Sequence, residues 1–250
     1  NDQGQGGGGS IPLDQHLYLS TPSTSDVTVK ITILSTGQEI TYTDLRNDNP
    51  KVYQLTADNP NQEQALNGVL FVDKDGTGSN RLSSGLVIDA DCPVYASIRY
   101  NAGAQAGALV SKGDASLGTH FRTGMMTNGN QSDENEFQNS TNSHNLNFIS
   151  VMATQDNTTV RIDLPNASPN LQIANYNYNG NPIVQTLNRN ESMIIAADAR
   201  QPNNSGENRF ALIGALVRSI DDSGTVIVED PTKPIVVNVG SASGTFMSTS

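Results

Sequence analysis

The sequence predicts an all-β fold of tandem antiparallel, sandwich-like modules, with four-stranded propeller blades as the alternative. Three observations carry that expectation: two-residue alternation wherever apolar residues concentrate, turn formers between those runs, and an internal repeat. No window of a dozen residues sustains the 3.6-residue apolar spacing of an amphipathic helix. The clearest strand places Val27, Val29, Ile31 and Ile33 on one face, with Thr28, Lys30 and Thr32 between them. β-Branched side chains dominate both faces, and such side chains pack well on a pleated surface.

Further strands are expected at 39–43, 51–56, 69–72, 85–89, 93–100, 148–154, 158–164, 171–176, 183–187, 192–197, 210–218, 225–229 and 234–239. Turn formers separate them, among them Ser35-Thr36-Gly37, Asn47-Asp48-Asn49-Pro50, Asp75-Gly76, Asp156-Asn157, Asn179-Gly180 and Asp222-Ser223-Gly224. Asp156-Asn157 lies between two alternating runs, and two residues tolerant of positive φ would close those runs as a tight hairpin. Residues 128–147 offer almost nothing to bury and exceed an ordinary connection, so a protruding, mobile loop is expected there. Residues 1–10 are Gly-rich and read as a flexible leader outside the fold.

The repeat divides the rest. Val27-Thr-Val-Lys-Ile31 resembles Thr158-Thr-Val-Arg-Ile162. Asn80-Arg-Leu-Ser-Ser-Gly85 echoes Asn208-Arg-Phe-Ala-Leu-Ile-Gly214, and Pro93-Val-Tyr-Ala-Ser-Ile98 echoes Pro234-Ile-Val-Val-Asn-Val239. All three pairs keep their order, which predicts two related β modules at 11–112 and 113–250. The segment Ile220 to Glu229 has no counterpart in the first copy and reads as an added hairpin.

Composition narrows the function. The chain has 250 residues, enough to bury a large core without a metal or disulfide staple. Charged residues are only 16%, against about 25% in an average domain, and Asn, Gln, Ser and Thr supply the polarity instead. A net charge of −11 repels a nucleic-acid duplex or an anionic bilayer, so nucleic acid is excluded as a partner. The longest apolar run, Phe210 to Val217, is far too short for a membrane span, and any export signal is expected to have been removed ahead of Asn1. Cys92 is the single cysteine, so no internal disulfide can form.

Four segments fall in a characteristic order: Leu117-Gly-Thr-His-Phe121, Val151-Met-Ala-Thr-Gln-Asp-Asn-Thr-Thr-Val-Arg-Ile162, Thr186-Leu-Asn-Arg-Asn-Glu-Ser192 and Lys233-Pro-Ile-Val-Val-Asn-Val-Gly240. Over about residues 93–246 this text resembles the IgGFc-binding-protein N-terminal domain family, with a fainter copy upstream. Its Lys-Pro-Ile-Val-Val-Asn flavour is similar to the version in giant secreted surface proteins of Bacteroidota, including gliding-motility adhesins. The resemblance implies an extracellular adhesive or binding role, on a surface or glycan or alongside the secretion and motility machinery, and it names no catalytic group. Antibody binding is not inferred from the family's name. The family usually has Gly where Asn190 stands, but Asn also reaches the left-handed region, so the turn should survive. Cys92 replaces a Lys found in the family and in the second copy, and is then a strand-entry residue.

Asp73, Asp75 and Asn80 are the candidate Ca²⁺ ligands, because two carboxylates beside glycines can converge on a hard cation that takes six to eight oxygens. A plain Asx-type hairpin turn accounts for the same residues, and the spacing is not that of an EF-hand loop. Further oxygen donors are Asp89, Asp91, Asp133, Glu134, Glu136, Asp221 and Asp222. His16, His120 and His144 show no zinc spacing, and His120 is expected in a strand as a packed or hydrogen-bonded ring. No nucleophile elbow is present, and Gly103-Ala-Gln-Ala-Gly107 reads as loop text rather than a phosphate cradle. Tyr176 and Tyr178 alternate on one face, where core packing competes with a glycan-stacking role. Asn130, Asn139, Asn157, Asn166, Asn190 and Asn203 head Asn-x-Ser/Thr triplets that composition alone explains. The expected function is a non-enzymatic surface adhesin; the alternatives are the carbohydrate-binding module of a glycan-active enzyme and a Ca²⁺-stiffened spacer.

Overall fold

The computed structural model describes residues 14–55, 78–82, 85–102, 105–125, 146–168, 171–174, 176–198, 210–221 and 227–241, and no α-helix occurs among them. In chain order the strands are β1 (Asp14–Ser20), β2 (Val27–Ile33), β3 (Gln38–Leu45), β4 (Lys51–Gln54), β5 (Gly78–Leu82), β6 (Leu86–Ala90), β7 (Tyr95–Ala102) and β8 (Gln105–Val110). They continue as β9 (His120–Arg122), β10 (Leu146–Ala153), β11 (Thr158–Asp163), β12 (Ile183–Leu187), β13 (Ser192–Asp198), β14 (Leu216–Asp221), β15 (Val228–Glu229) and β16 (Ile235–Ser241). A 3-10 turn spans Gly113–Ser116.

The strands form two compact units, each with two antiparallel sheets. One unit holds a sheet of order β4-β1-β7-β8 and a sheet of order β3-β2-β6. The other holds β16-β10-β13-β5 and β12-β11-β14-β15, with β9 also paired to β14. In the first unit Leu17 and Leu19 of one sheet share a core with Val27, Val29 and Ile31 of the other. In the second, Ile149, Val151 and Ala153 share a core with Val160 and Ile162. Two sheets closing on one core make a sandwich, and no sheet closes into a barrel. Burying each such Val, Ile or Leu is favourable by about 1.5–3 kcal/mol, so alternation along a strand is what drives the sheets together.

The strand order repeats. β4-β1-β7 recurs as β13-β10-β16, and β3-β2-β6 recurs as β12-β11-β14. The three repeated sequence pairs land on corresponding places: β2 with β11, the approaches to β6 and β14, and β7 with β16. Gly85 and Gly214, which end the second pair, both have positive φ, 134° and 74°. The fourth strands differ, for β8 lies beside β7 whereas β5 lies beside β13, the counterpart of β4. Thus β5, although it falls between β4 and β6 in the chain, completes a sheet of the other unit. The expected added hairpin is present as β14 and β15, with Ile220 opposite Glu229.

Several local expectations are corrected. The runs around Asp156-Asn157 do not form a hairpin: β10 pairs with β13 and β16, and β11 with β12 and β14. Asn157 is left-handed, at φ 54°, but the turn carries the chain from one sheet to the facing one. Alternation is the same for two strands paired in one sheet and two stacked across a core, so it does not distinguish them. In place of the expected strand at 171–176, Ile173 makes isolated bridges to Tyr176 and Ala197. The run 210–218 begins as turn, and its strand starts at Leu216, after the left-handed Gly214. Three strands were not legible. In β1, Gln15 is buried and Tyr18 is exposed, which blurs the alternation. β8 is Ala- and Gly-rich and lacks apolar contrast, and it includes part of the expected 103–107 loop. β5, Gly-Ser-Asn-Arg-Leu, has one large apolar residue. The 69–72 run, the 1–10 leader and residues 128–145 of the Asn-rich stretch lie outside the described residues.

Candidate binding surface

The four segments singled out in the sequence meet in one corner of the second unit. Ala153 N donates to Glu191 O (3.0 Å), and Asn190 N donates to Ala153 O (2.9 Å). Arg189 N donates to Asp156 Oδ1 at 3.0 Å. Lys233 Nζ reaches across to donate to Asn157 O at 2.8 Å, and Thr154 Oγ1 donates to Pro234 O at 2.5 Å. Gly118 and Ile235 exchange backbone bonds of 3.2 and 2.8 Å, which ties in the first segment. Asn190 is left-handed at φ 66°, as its turn requires. The shared text is therefore architectural: it builds the place where the chain changes sheets.

In the first unit the matching corner keeps the threonine-to-proline bond, Thr21 Oγ1 to Pro93 O at 2.8 Å, but differs in its other ties. Asp91 Oδ1 accepts from Thr28 N at 3.1 Å while Asp91 N donates to Thr28 O at 3.2 Å. Cys92, in place of a lysine, is an exposed thiol just before Pro93 and β7. Asp91 is thereby engaged in the chain's own backbone.

A second arrangement lies on the outer face of β11, β14 and β9. Successive residues of a strand point to opposite faces, so Arg161 and Asp163 share one, and Arg161 stands opposite Arg218, which stands opposite His120. Asp163 is held by Arg161, whose Nε lies 3.0 Å from both carboxylate oxygens and whose Nη2 lies 2.7 Å from Oδ1. Arg218 Nη2 adds a bond of 2.9 Å to Oδ2. Burial pushes the Asp163 carboxyl upward, but the two guanidinium groups outweigh it and hold its pKa below the ordinary value. Next to it, His120 Nδ1 donates to Glu229 Oε1 at 2.5 Å and Thr119 Oγ1 to Oε2 at 3.2 Å. The His120 bond chiefly lowers the Glu229 pKa. Here two like-charged arginines sit side by side because a carboxylate neutralises them, while Arg218 Nε is buried without a hydrogen-bond partner. Arg161-x-Asp163 was the readable signal for it; Arg218 came from a distant segment.

Asp73 and Asp75 lie outside the described residues, as do Asp133, Glu134, Glu136, Asp222 and His144. Asn80 lies in β5, beside β13. Among the described residues no group of three or more His, Cys, Asp or Glu is placed to hold a metal. Tyr176 and Tyr178 pack against the second core, in line with the packing reading, and burial raises the Tyr178 pKa. His120 is in a strand and hydrogen-bonded, as expected. Asn166 spends its side-chain amide on Ile213 O at 2.8 Å. No described helix is long and apolar enough to cross a membrane.

Residues 106–250, more than half of the chain, match the family described as IgGFc binding protein. The chain belongs to the IgGFc binding protein family. The matched stretch contains the corner and the arginine–carboxylate face whole, together with β9 to β16. The preceding strands repeat the family domain's topology although the match does not extend over most of them. No curated protein and no solved structure matches the chain.

Proposed function

We propose that this chain is a non-catalytic attachment module of a secreted cell-surface protein. The observation that carries the reading is the family domain together with its duplicated sheet topology. Duplication multiplies exposed sheet faces, whereas the polar groups of the family corner are consumed in holding turns together. Such a scaffold is suited to presenting surface. In its more specific form, the module belongs to a large exported adhesin of the gliding-motility type and contacts an extracellular surface or glycan. Adhesion of beads coated with the purified chain to polysaccharide-coated glass, compared with uncoated beads, tests this. Retention of coated beads under flow is expected. Retention no greater than that of bare beads, or release of reducing sugar ends from the polysaccharide, would overturn it.

A further inference from the structure

The outer face of the β4-β1-β7-β8 sheet has a chemistry unlike the rest of the chain. Tyr95 and Tyr18 are the exposed aromatic side chains among the described residues, at 65% and 38% exposure. Register puts them together: Tyr18 stands opposite Ser97 and Ser20 opposite Tyr95, so the two tyrosines are diagonal neighbours on one face. Val52 lies opposite Tyr18 on one side, and Val110 lies opposite Ser97 on the other. Tyr95, Val52 and Val110 are all exposed on it.

Its charge differs from that of the whole. The chain carries 25 acidic against 14 basic residues, yet at the middle of this face the charged residue is Arg99, and the acid that register assigns to the face, Asp14, stands at the far end of β1. Arg99 has its guanidinium 5.1 Å from the Tyr18 ring centroid, and it has no ion-pair partner among the described residues. His16, directly opposite Arg99 in the ladder, has its ring 6.1 Å from that of Tyr18. Ser111 N donates to Ala96 O just past the end of β8, and the exposed Lys112 follows it toward the Tyr95 end of the face. A guanidinium within cation–π range of Tyr18 is drawn to that ring, and the exposed Arg99 can receive a planar oxyanion in two parallel bonds. Tyr95 offers an unoccupied ring face of the sort that packs against the C–H face of a sugar.

We propose that this face is a binding site for an acidic polysaccharide, with Tyr95 stacking on a sugar ring and Arg99, beside Tyr18, receiving a carboxylate, while Lys112 supplies a second cation. The assignment rests on the attachment reading above and adds to it a ligand class and a location. An acidic polypeptide would satisfy the cations but has no use for the bare tyrosine ring, so the glycan is the occupant the face favours.

The test is affinity electrophoresis of the full chain through gels containing polygalacturonate, neutral dextran or polyglutamate. Retardation by polygalacturonate alone is expected. Tyr95→Ala and Arg99→Gln should each weaken it by on the order of tenfold, the effect of losing one good contact, with Tyr95→Phe close to the parent. Both side chains are exposed, and an unchanged melting temperature verifies that each variant folds. Equal retardation by polyglutamate would reassign the face to acidic protein partners, and equal retardation by dextran would remove the role of charge. No retardation, or retardation indifferent to Tyr95 and Arg99, would overturn the site. Bead adhesion with the same variants separates the two ideas: adhesion that persists when these residues are lost leaves the attachment reading standing and this site refuted.

Discussion

Thr154 donates its hydroxyl to the carbonyl of Pro234 at 2.5 Å, locking the end of β10 to the entry of β16. The first unit contains the counterpart, Thr21 to Pro93 at 2.8 Å, between the end of β1 and the approach to β7. A proline carbonyl preceding a strand has no ladder partner of its own at that point, and the threonine satisfies it. Thr154→Val keeps the shape and removes the donor, so it should cost about 1–2 kcal/mol, with Thr154→Ser close to the parent. Urea unfolding measures this; equal stability of the valine and serine variants would show that the bond contributes nothing.

Asn190 occupies the left-handed region at φ 66° in the turn that bonds to Ala153. A side chain with a Cβ and no local hydrogen bonding pays about 1–2 kcal/mol there. Asn190→Ala should therefore lower stability by about 1 kcal/mol, whereas Asn190→Gly should leave it within about 0.5 kcal/mol. The pair of variants, measured side by side, separates backbone strain from loss of the amide.

Asp163 has its folded pKa depressed by Arg161 and Arg218 against the opposing effect of burial. A group depressed on folding contributes stability that is fully present above its unfolded pKa, about 3.9, and is lost as pH falls through the lower folded value. Melting midpoints should thus fall in the acid range more steeply for the parent than for Asp163→Asn. At pH 7 that variant should be less stable by about 1–2 kcal/mol, since it leaves two neighbouring arginines without their carboxylate.

Ser219 has a buried hydroxyl with no hydrogen-bond partner. A buried hydroxyl left unpaired costs about 1–3 kcal/mol. Ser219→Ala should raise the melting temperature by about 2–4 °C, the shift expected for about 1 kcal/mol in a chain of this size. A drop on substitution would mean that the oxygen is satisfied.

How much was readable depends on which interaction a residue makes. Val27, Val29, Ile31 and Ile33 announce a strand because their burial repeats every two residues, the period of the strand itself. The turns at Asn157 and Asn190 were readable for a comparable reason: positive φ restricts residue type locally. The arginine–carboxylate face was not read from the sequence: Arg161 and Asp163 are neighbours there, but Arg218 joins them only through strand pairing. Likewise Tyr18 stands far in the chain from Tyr95 and Arg99, and joins them on one face only because β1 and β7 pair in that register.

The amino-acid sequence by itself determined the β architecture, the duplication and the family, because each is written in local periodicity and in ordered short segments. Tertiary structure alone decided which strands became partners. It turned an expected hairpin at Asp156-Asn157 into a crossing between sheets, and it took β5 out of chain order to complete a sheet of the other unit. The reason is physical: alternation specifies which side of a strand is buried, but backbone hydrogen bonds are the same for every neighbour, so the partner is chosen by how whole faces pack.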